Sequence, residues 1–339
     1  MLRVDLCCYR MDHNNIWSID DNAFRGVGPE MEIVDMSHNR LVRIKLSVVF
    51  RYLSRLRVLR LRYNSLVDIV SPIATDNDVL PAVQELDLTG NEFDHVPSRA
   101  LSSLSALRRL ILRDNRIQHV GESAFSSSAF LELVDLGANR FSRRGDRGPL
   151  TIDRRAFCGL EPHALSRSPG VTDWTGLQQV RLDHNGLTQL ELCSLMGVWT
   201  LVDIDLSGNP LRCDCHLLGA LRRLTDTAVG LRVYHATQCA SPARLAGHSV
   251  AEALRLLHWQ STCADDDRSN TCDETSCTAS LSHSTSSSIP STAGSPVTPC
   301  TCAVALAFVL VRIVAWSQTK PQRIRTCISR TVRWTTVRN

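Results

Sequence analysis

"LRVLRLRYNSL", residues 56–66, decides how this chain is read. Apolar residues stand at Leu56, Leu59, Leu61 and Leu66, with Asn64 between the last two. The same spacing returns in "VQELDLTGNEF" (83–93), "LRRLILRDNRI" (107–117) and "LVDIDLSGNPL" (201–211). Eight copies begin at Leu6, Met31, Leu56, Val83, Leu107, Leu131, Leu177 and Leu201, with asparagines at Asn14, Asn39, Asn64, Asn91, Asn115, Asn139, Asn185 and Asn209. Successive copies lie 25, 25, 27, 24, 24, 46 and 24 residues apart. Each x-Leu-x-Leu makes a short strand with alternate residues inward, and each Asn can bond the peptide groups that leave the ladder. No copy can bury its apolar face alone. Stacked coils with a shared core and a parallel sheet on the concave side follow.

The repeat resembles the leucine-rich repeat family over residues 6 to about 211. The resemblance implies an α/β solenoid, a horseshoe with a concave parallel sheet. Ala23–Phe24, Ala124–Phe125 and Ala156–Phe157, with Val49–Phe50 as a variant, are similar to the convex-side segment of the longer extracellular type of repeat. The array spans 1–211 with an irregular insertion at 142–176. In it, Arg144–Gly145–Asp146 is similar to an integrin-binding tripeptide, but three residues carry little information and a solvated loop is the preferred reading. Cys158 and Cys193 fall on neighbouring convex turns and either bridge or remain as two buried thiols.

Beyond Asn209 come Cys213-x-Cys215, Cys239 and Cys263. A metal site, a redox pair or a disulfide-tied lid could explain the close pair, but zinc would want ligand pairs on both sides. The segment 212–263 resembles the C-terminal cysteine flanking cap of extracellular leucine-rich repeat proteins. That resemblance assigns Cys213–Cys239 and Cys215–Cys263. A cap is needed physically, because the last coil would otherwise expose core and a strand edge. Thirteen cysteines in 339 residues suit an oxidising compartment. No secretory signal is visible in "MLRVDLCCYR", and no N-terminal cysteine cap precedes Leu6, so a signal peptide and cap are expected upstream of Met1.

After the cap the composition changes. Between Thr275 and Pro299, 14 of 25 residues are Ser or Thr, too polar to build a core, so 264–299 reads as a stalk of the O-glycosylated kind. No Asn-x-Ser/Thr sequon occurs, a departure from the family's habit. "CAVALAFVLVRIVAW" (302–316) is short for a ~30 Å hydrocarbon core. With Arg312 and Trp316 placed for an interface, 300–316 is expected to form one transmembrane segment. The tail 317–339 holds six basic residues and no acid, which suits a cytoplasmic side. The net charge of +4 is owed to that tail, and the near-neutral remainder argues against nucleic acid.

No nucleophile–base grouping, phosphate loop or cofactor motif is present in the sequence, and a non-enzymatic protein is expected. His13, His38 and His184 precede ladder asparagines and read as solvent-facing turn residues rather than metal ligands. The outward strand column Arg10, Asp35, Arg60, Asp87, Ile111, Asp135, Arg181, Asp205 reads as a ladder of exposed ion pairs. Arg57, Arg60, Arg62 and Tyr63 on the third coil and Arg108, Arg109 and Arg113 on the fifth form two basic stripes flanking Gln84, Glu85 and Asp87. These are the candidate contacts for a protein ligand. The expected function is a single-pass surface protein that binds a protein for adhesion or recognition. A signalling receptor with a further cytoplasmic module, or a secreted binding protein, are the alternatives.

Overall fold

The computed structural model describes residues 8–26, 30–70, 80–139, 149–160, 163–164, 174–190, 195, 198, 200–227, 232–233 and 237–256. Arg144–Asp146, Cys193, Cys263, the Ser/Thr-rich stretch, 300–316 and the basic tail lie outside them.

Among the described residues, nine strands form one parallel sheet. Eight belong to the repeat copies, here coils 1 to 8: Cys8–Arg10, Ile33–Asp35, Val58–Arg60, Glu85–Asp87, Arg109–Ile111, Leu133–Asp135, Gln179–Arg181 and Asp203–Asp205. Register follows the repeat, so Val34, Leu59, Leu86, Leu110, Val134, Val180 and Ile204 form one inward row. All seven are at most 1% exposed. The inward positions therefore stack into one continuous core, as the spacing requires.

The asparagines join the coils. Asn115 donates to Leu112 O within its coil and to Leu88 O of the coil before, and its Oδ1 accepts the Phe93 N–H. Asn39, Asn64 and Asn91 repeat this pattern. The 46-residue interval does not break it: Asn185 accepts the Asn139 N–H at 2.7 Å and donates to Leu136 O at 2.9 Å. Each amide satisfies peptide groups that are buried and no longer in the sheet ladder.

The convex side carries the second apolar row. Phe24 lies 5.1 Å from Phe50, and Phe125 stacks on Phe157 at 5.4 Å. The Val49–Phe50 variant ends the single-turn helix α1 (Leu46–Val49). In coil 4 the helix α2 (Ser98–Leu101) buries Ala100 and Leu101 at the same place, a counterpart the sequence reading left out.

At the C-terminal end, Arg232–Val233 adds the ninth strand beside Asp203–Asp205. Helix α3 (Cys215–Thr227) starts where Asp214 Oδ1 accepts the Leu217 N–H at 3.1 Å. It presses Leu217, Leu218, Leu221 and Leu224 into the core, covering coil 8. Helix α4 (Val250–Leu256) packs against it. Its start is a capping box, in which Ser249 Oγ accepts the Glu252 N–H and Glu252 accepts the Ser249 N–H. The Cys213–Cys239 disulfide, with Cα atoms 5.5 Å apart, ties this unit to the last coil. Cys215 is also disulfide-bonded, and so is Cys158, which excludes the buried-thiol alternative for Cys158. Among the described residues no helix is long and apolar enough to cross a membrane.

Candidate binding surface

The outward column forms as expected: Arg10, Asp35, Arg60, Asp87, Ile111, Asp135, Arg181 and Asp205 are register partners along the sheet. Its acids, however, do not form an exposed ladder. Asp87 and Asp135 are 1% and 3% exposed. Each carboxylate folds back onto the bend that ends its strand, where it accepts the N–H two residues on: Ser37, Thr89, Gly137 and Ser207, at 2.9–3.1 Å. The Thr89 and Ser207 hydroxyls add bonds of 2.7 Å to Asp87 and Asp205. These are Asx turns, and they commit the acids to the backbone before any partner arrives. Burial pushes the Asp135 carboxyl above the usual range, with the Gly137 N–H, Arg113 and Arg181 pulling partly the other way.

The two basic stripes are likewise absorbed. Arg60 and Arg109 approach Glu85 from opposite sides, each at 3.6 Å. Arg62 Nε donates to Asp87 Oδ2 at 2.6 Å, and Arg108 pairs with Glu132. Arg113 turns toward the other half of the array, donating to both oxygens of Asp183 at 2.9 and 2.7 Å. Asp135 lies within 3.6 Å of both Arg113 and Arg181. The structure thus joins Arg60, Glu85 and Arg109 in one group, pairs Arg62 with Asp87, and places Arg113 with Asp135 and Asp183. Arg57 stays exposed without an ion pair to a described residue. Tyr63 leaves the strand face altogether and stands, 47% exposed, on the turn beyond it.

Arg113 belongs to coil 5 and Asp183 to coil 7, so the pair spans coil 6. It can do so because Gly137 lies beneath it. A Cβ there would stand 2.5 Å from Asp183 Oδ1 and closer still to Arg113 Nη1. Burial raises the Asp183 carboxyl, but hydrogen bonds from Arg113 and His184 outweigh it and hold that carboxyl below the usual Asp range. The clamp therefore crosses the junction of coils 6 and 7, between which the long insertion falls in the sequence.

Beyond the strands runs a turn ladder of left-handed residues: His13, His38, Tyr63, Gly90, Asp114, Ala138, His184 and Gly208, with φ from +49° to +69°. Six of these eight residues are not glycine, so the requirement comes from the coil and not from residue preference. His13 stacks on His38 with ring centres 4.2 Å apart, and His38 on Tyr63 at 4.7 Å. The Tyr63 ring then lies over Gly90, where a Cβ would collide with it. The histidines are turn residues, as the sequence indicated. Among the described residues no three His, Cys, Asp or Glu side chains are grouped to hold a metal. A recess of about 430 Å³ opens between Leu150, Ile152, Leu187, Leu190 and His216, beside the insertion.

A family model described as leucine rich repeat matches residues 10–66 and 81–141. No curated protein matches the sequence. Among solved structures, the mouse RP105/MD-1 complex is similar to it at 20% identity and a TM-score of 0.48, over 72% of this chain and 40% of that one. The chain therefore spans less than half the length of that neighbour. With the spacing, the asparagine ladder and the family match in agreement, residues 10–66 and 81–141 of this chain are leucine rich repeats.

Proposed function

We propose that the array is the extracellular part of a single-pass membrane protein whose concave face binds a protein partner for adhesion or recognition. A leucine-rich repeat array is a protein-interaction scaffold in general terms, and the observation that carries the proposal here is the sheet face itself. Its charges are paired with one another over coils 3 to 7, leaving a broad, nearly neutral surface better matched to another protein than to a small charged ligand. Arg57 on coil 3 has no ion pair with a described residue, and with Arg60, Arg62, Glu85, Asp87, Arg108, Arg109 and Arg113 it makes up the candidate contact set. The Cys213–Cys239 disulfide supports an oxidising compartment. On this reading Cys215 pairs with Cys263, 212–263 is the cysteine flanking cap, and 300–316 is the anchor.

The test displays the full chain on cells and screens it with a panel of recombinant protein ectodomains. At least one should bind, and Arg57→Glu should weaken it about tenfold, the range of a central interface residue. An ectodomain that binds equally to the variant removes the concave assignment. Surface biotinylation before and after deletion of 300–316 separates anchored from secreted protein.

A further inference from the structure

Three successive coils carry a second surface, away from the concave face. In each coil the residues one before, one after and three after the ladder Asn alternate with that Asn, buried in coils 2 and 3 and half-buried in coil 1, and with the buried apolar residue that follows it. They therefore share the outer edge of the turn. Coil 1 presents His13, Asn15 and Trp17; coil 2 His38, Arg40 and Val42; coil 3 Tyr63, Ser65 and Val67. Backbone bonds from Arg40 N to Ile16 O, Ser65 N to Leu41 O and Val67 N to Val42 O hold these segments on adjacent rungs. Trp17 is 51% and Val42 49% exposed, and with Tyr63 they are three of the five large exposed apolar side chains among the described residues. In coil 4 the same positions become Gly90, Glu92 and Asp94, and in coil 5 Asp114, Arg116 and Gln118. All three columns change character at one boundary, so the patch has a defined end.

Its two cations, Arg40 and Arg43, stand beside few acids. Arg40 is exposed, has no ion pair with a described residue, and is flanked at its own position by Asn15 and Ser65. Arg43, also exposed, closes the apolar row; its register partner Asp68 is the one acid beside it on that short strand pair. Asp12 is held by Arg10 and His13, and Asp21 by Lys45. Glu92, the first acid beyond the patch, pairs with Arg116 at 2.8 Å. Arg40 and Arg43 thus share this edge with Trp17, Val42 and the His13–His38–Tyr63 stack.

We propose that this edge of coils 1–3 docks an acidic segment of a partner protein, with an apolar side chain against Trp17 and Val42 and carboxylates on Arg40 and Arg43. Trp, Tyr and Arg are the side chains that anchor protein interfaces. Three rungs of about 4.8 Å and four residues of about 3.3 Å give a patch of roughly 10 by 13 Å, room for about four residues of extended chain. The patch adjoins the concave face through Arg62, which precedes Tyr63 and pairs with Asp87, so one partner can use both. The inference rests on the reading that this chain binds proteins, but the test separates the two.

The probes are fluorescent peptides with one Leu flanked by Glu residues, the same peptide with Lys for Glu, and the same with Ser for Leu, each displayed multivalently and titrated against the full chain. The Glu–Leu probe should bind, and both controls should bind about tenfold more weakly. Arg40→Glu and Trp17→Ser, both exposed positions, should each weaken the Glu–Leu probe about tenfold while Arg57→Glu leaves it unchanged. Absence of Glu–Leu binding, equal binding of the Lys probe, or undiminished binding to both edge variants would overturn the proposal. So would sedimentation showing a dimer that Trp17→Ser dissolves, since the occupant would then be a second copy. If the ectodomain screen loses binding with Arg57→Glu alone, the concave reading stands and the edge proposal fails.

Discussion

Replacing Gly137 by Ala tests whether the Arg113–Asp183 clamp holds the two halves of the array together. Gly137 does not adopt a left-handed backbone, so Ala is tolerated locally and the effect must come from what its Cβ meets. The Cβ displaces the Arg113 guanidinium from two charge-assisted bonds and leaves Asp183, 5% exposed, with His184 as its remaining side-chain partner. Bonds to charged groups contribute about 1.5–3 kcal/mol, and Arg113 is about one-third exposed, so screening brings the expected loss to about 2 kcal/mol. Urea unfolding of the disulfide-intact protein, followed by circular dichroism, should show this loss. Arg113→Ala should cost a similar amount, and the double variant little more than either. The loss should also depend on pH. Because the folded Asp183 carboxyl lies below its ordinary value of about 3.9, its contribution is present above that pH and disappears as pH falls through the folded value. Fully additive single variants, or a loss below about 0.5 kcal/mol, would refute the clamp.

Other perturbations probe the coil-to-coil bonds. Asn115→Ala removes the partners of Phe93 N–H, Leu88 O and Leu112 O, all buried, and should cost about 3 kcal/mol or more in the same unfolding assay. Cys213→Ser opens a loop closed across 26 residues and should cost about 3 kcal/mol, with loss of protection in hydrogen exchange concentrated in α3 and the last coil. Gly90→Ala combines a left-handed backbone, φ +69°, with a collision against the Tyr63 ring. It should destabilise by about 1–2 kcal/mol, and the Tyr63 ring resonances should move in NMR spectra.

The stacking of this chain is legible because it is written locally. Leu56, Leu59, Leu61, Asn64 and Leu66 lie within eleven residues, and repetition aligns them with their neighbours. The Cys213–Cys239 bond follows the family resemblance in the same way. What period-2 alternation could not convey is that an outward Asp, such as Asp87 or Asp135, bonds the backbone two residues on and is buried by arginines from other coils. Arg62 and Asp87 occupy different repeat positions, and Arg113 and Asp183 lie 70 residues apart across an insertion, so no window of sequence brings them together. A basic stripe read from one coil was already neutralised by the next. Trp17 and Val42 were legible at equal distance beyond Asn14 and Asn39, but attention to strand positions alone passed over them.

The proposed function requires that the array fold in an oxidising compartment, and one measurement meets that requirement directly. Live cells producing the full chain are treated with a thiol alkylator, and the protein is mapped by mass spectrometry without reduction. The account predicts linked peptides carrying Cys213–Cys239 and Cys215–Cys263, with those four cysteines unalkylated. Recovery of Cys213 and Cys239 as alkylated thiols would contradict it.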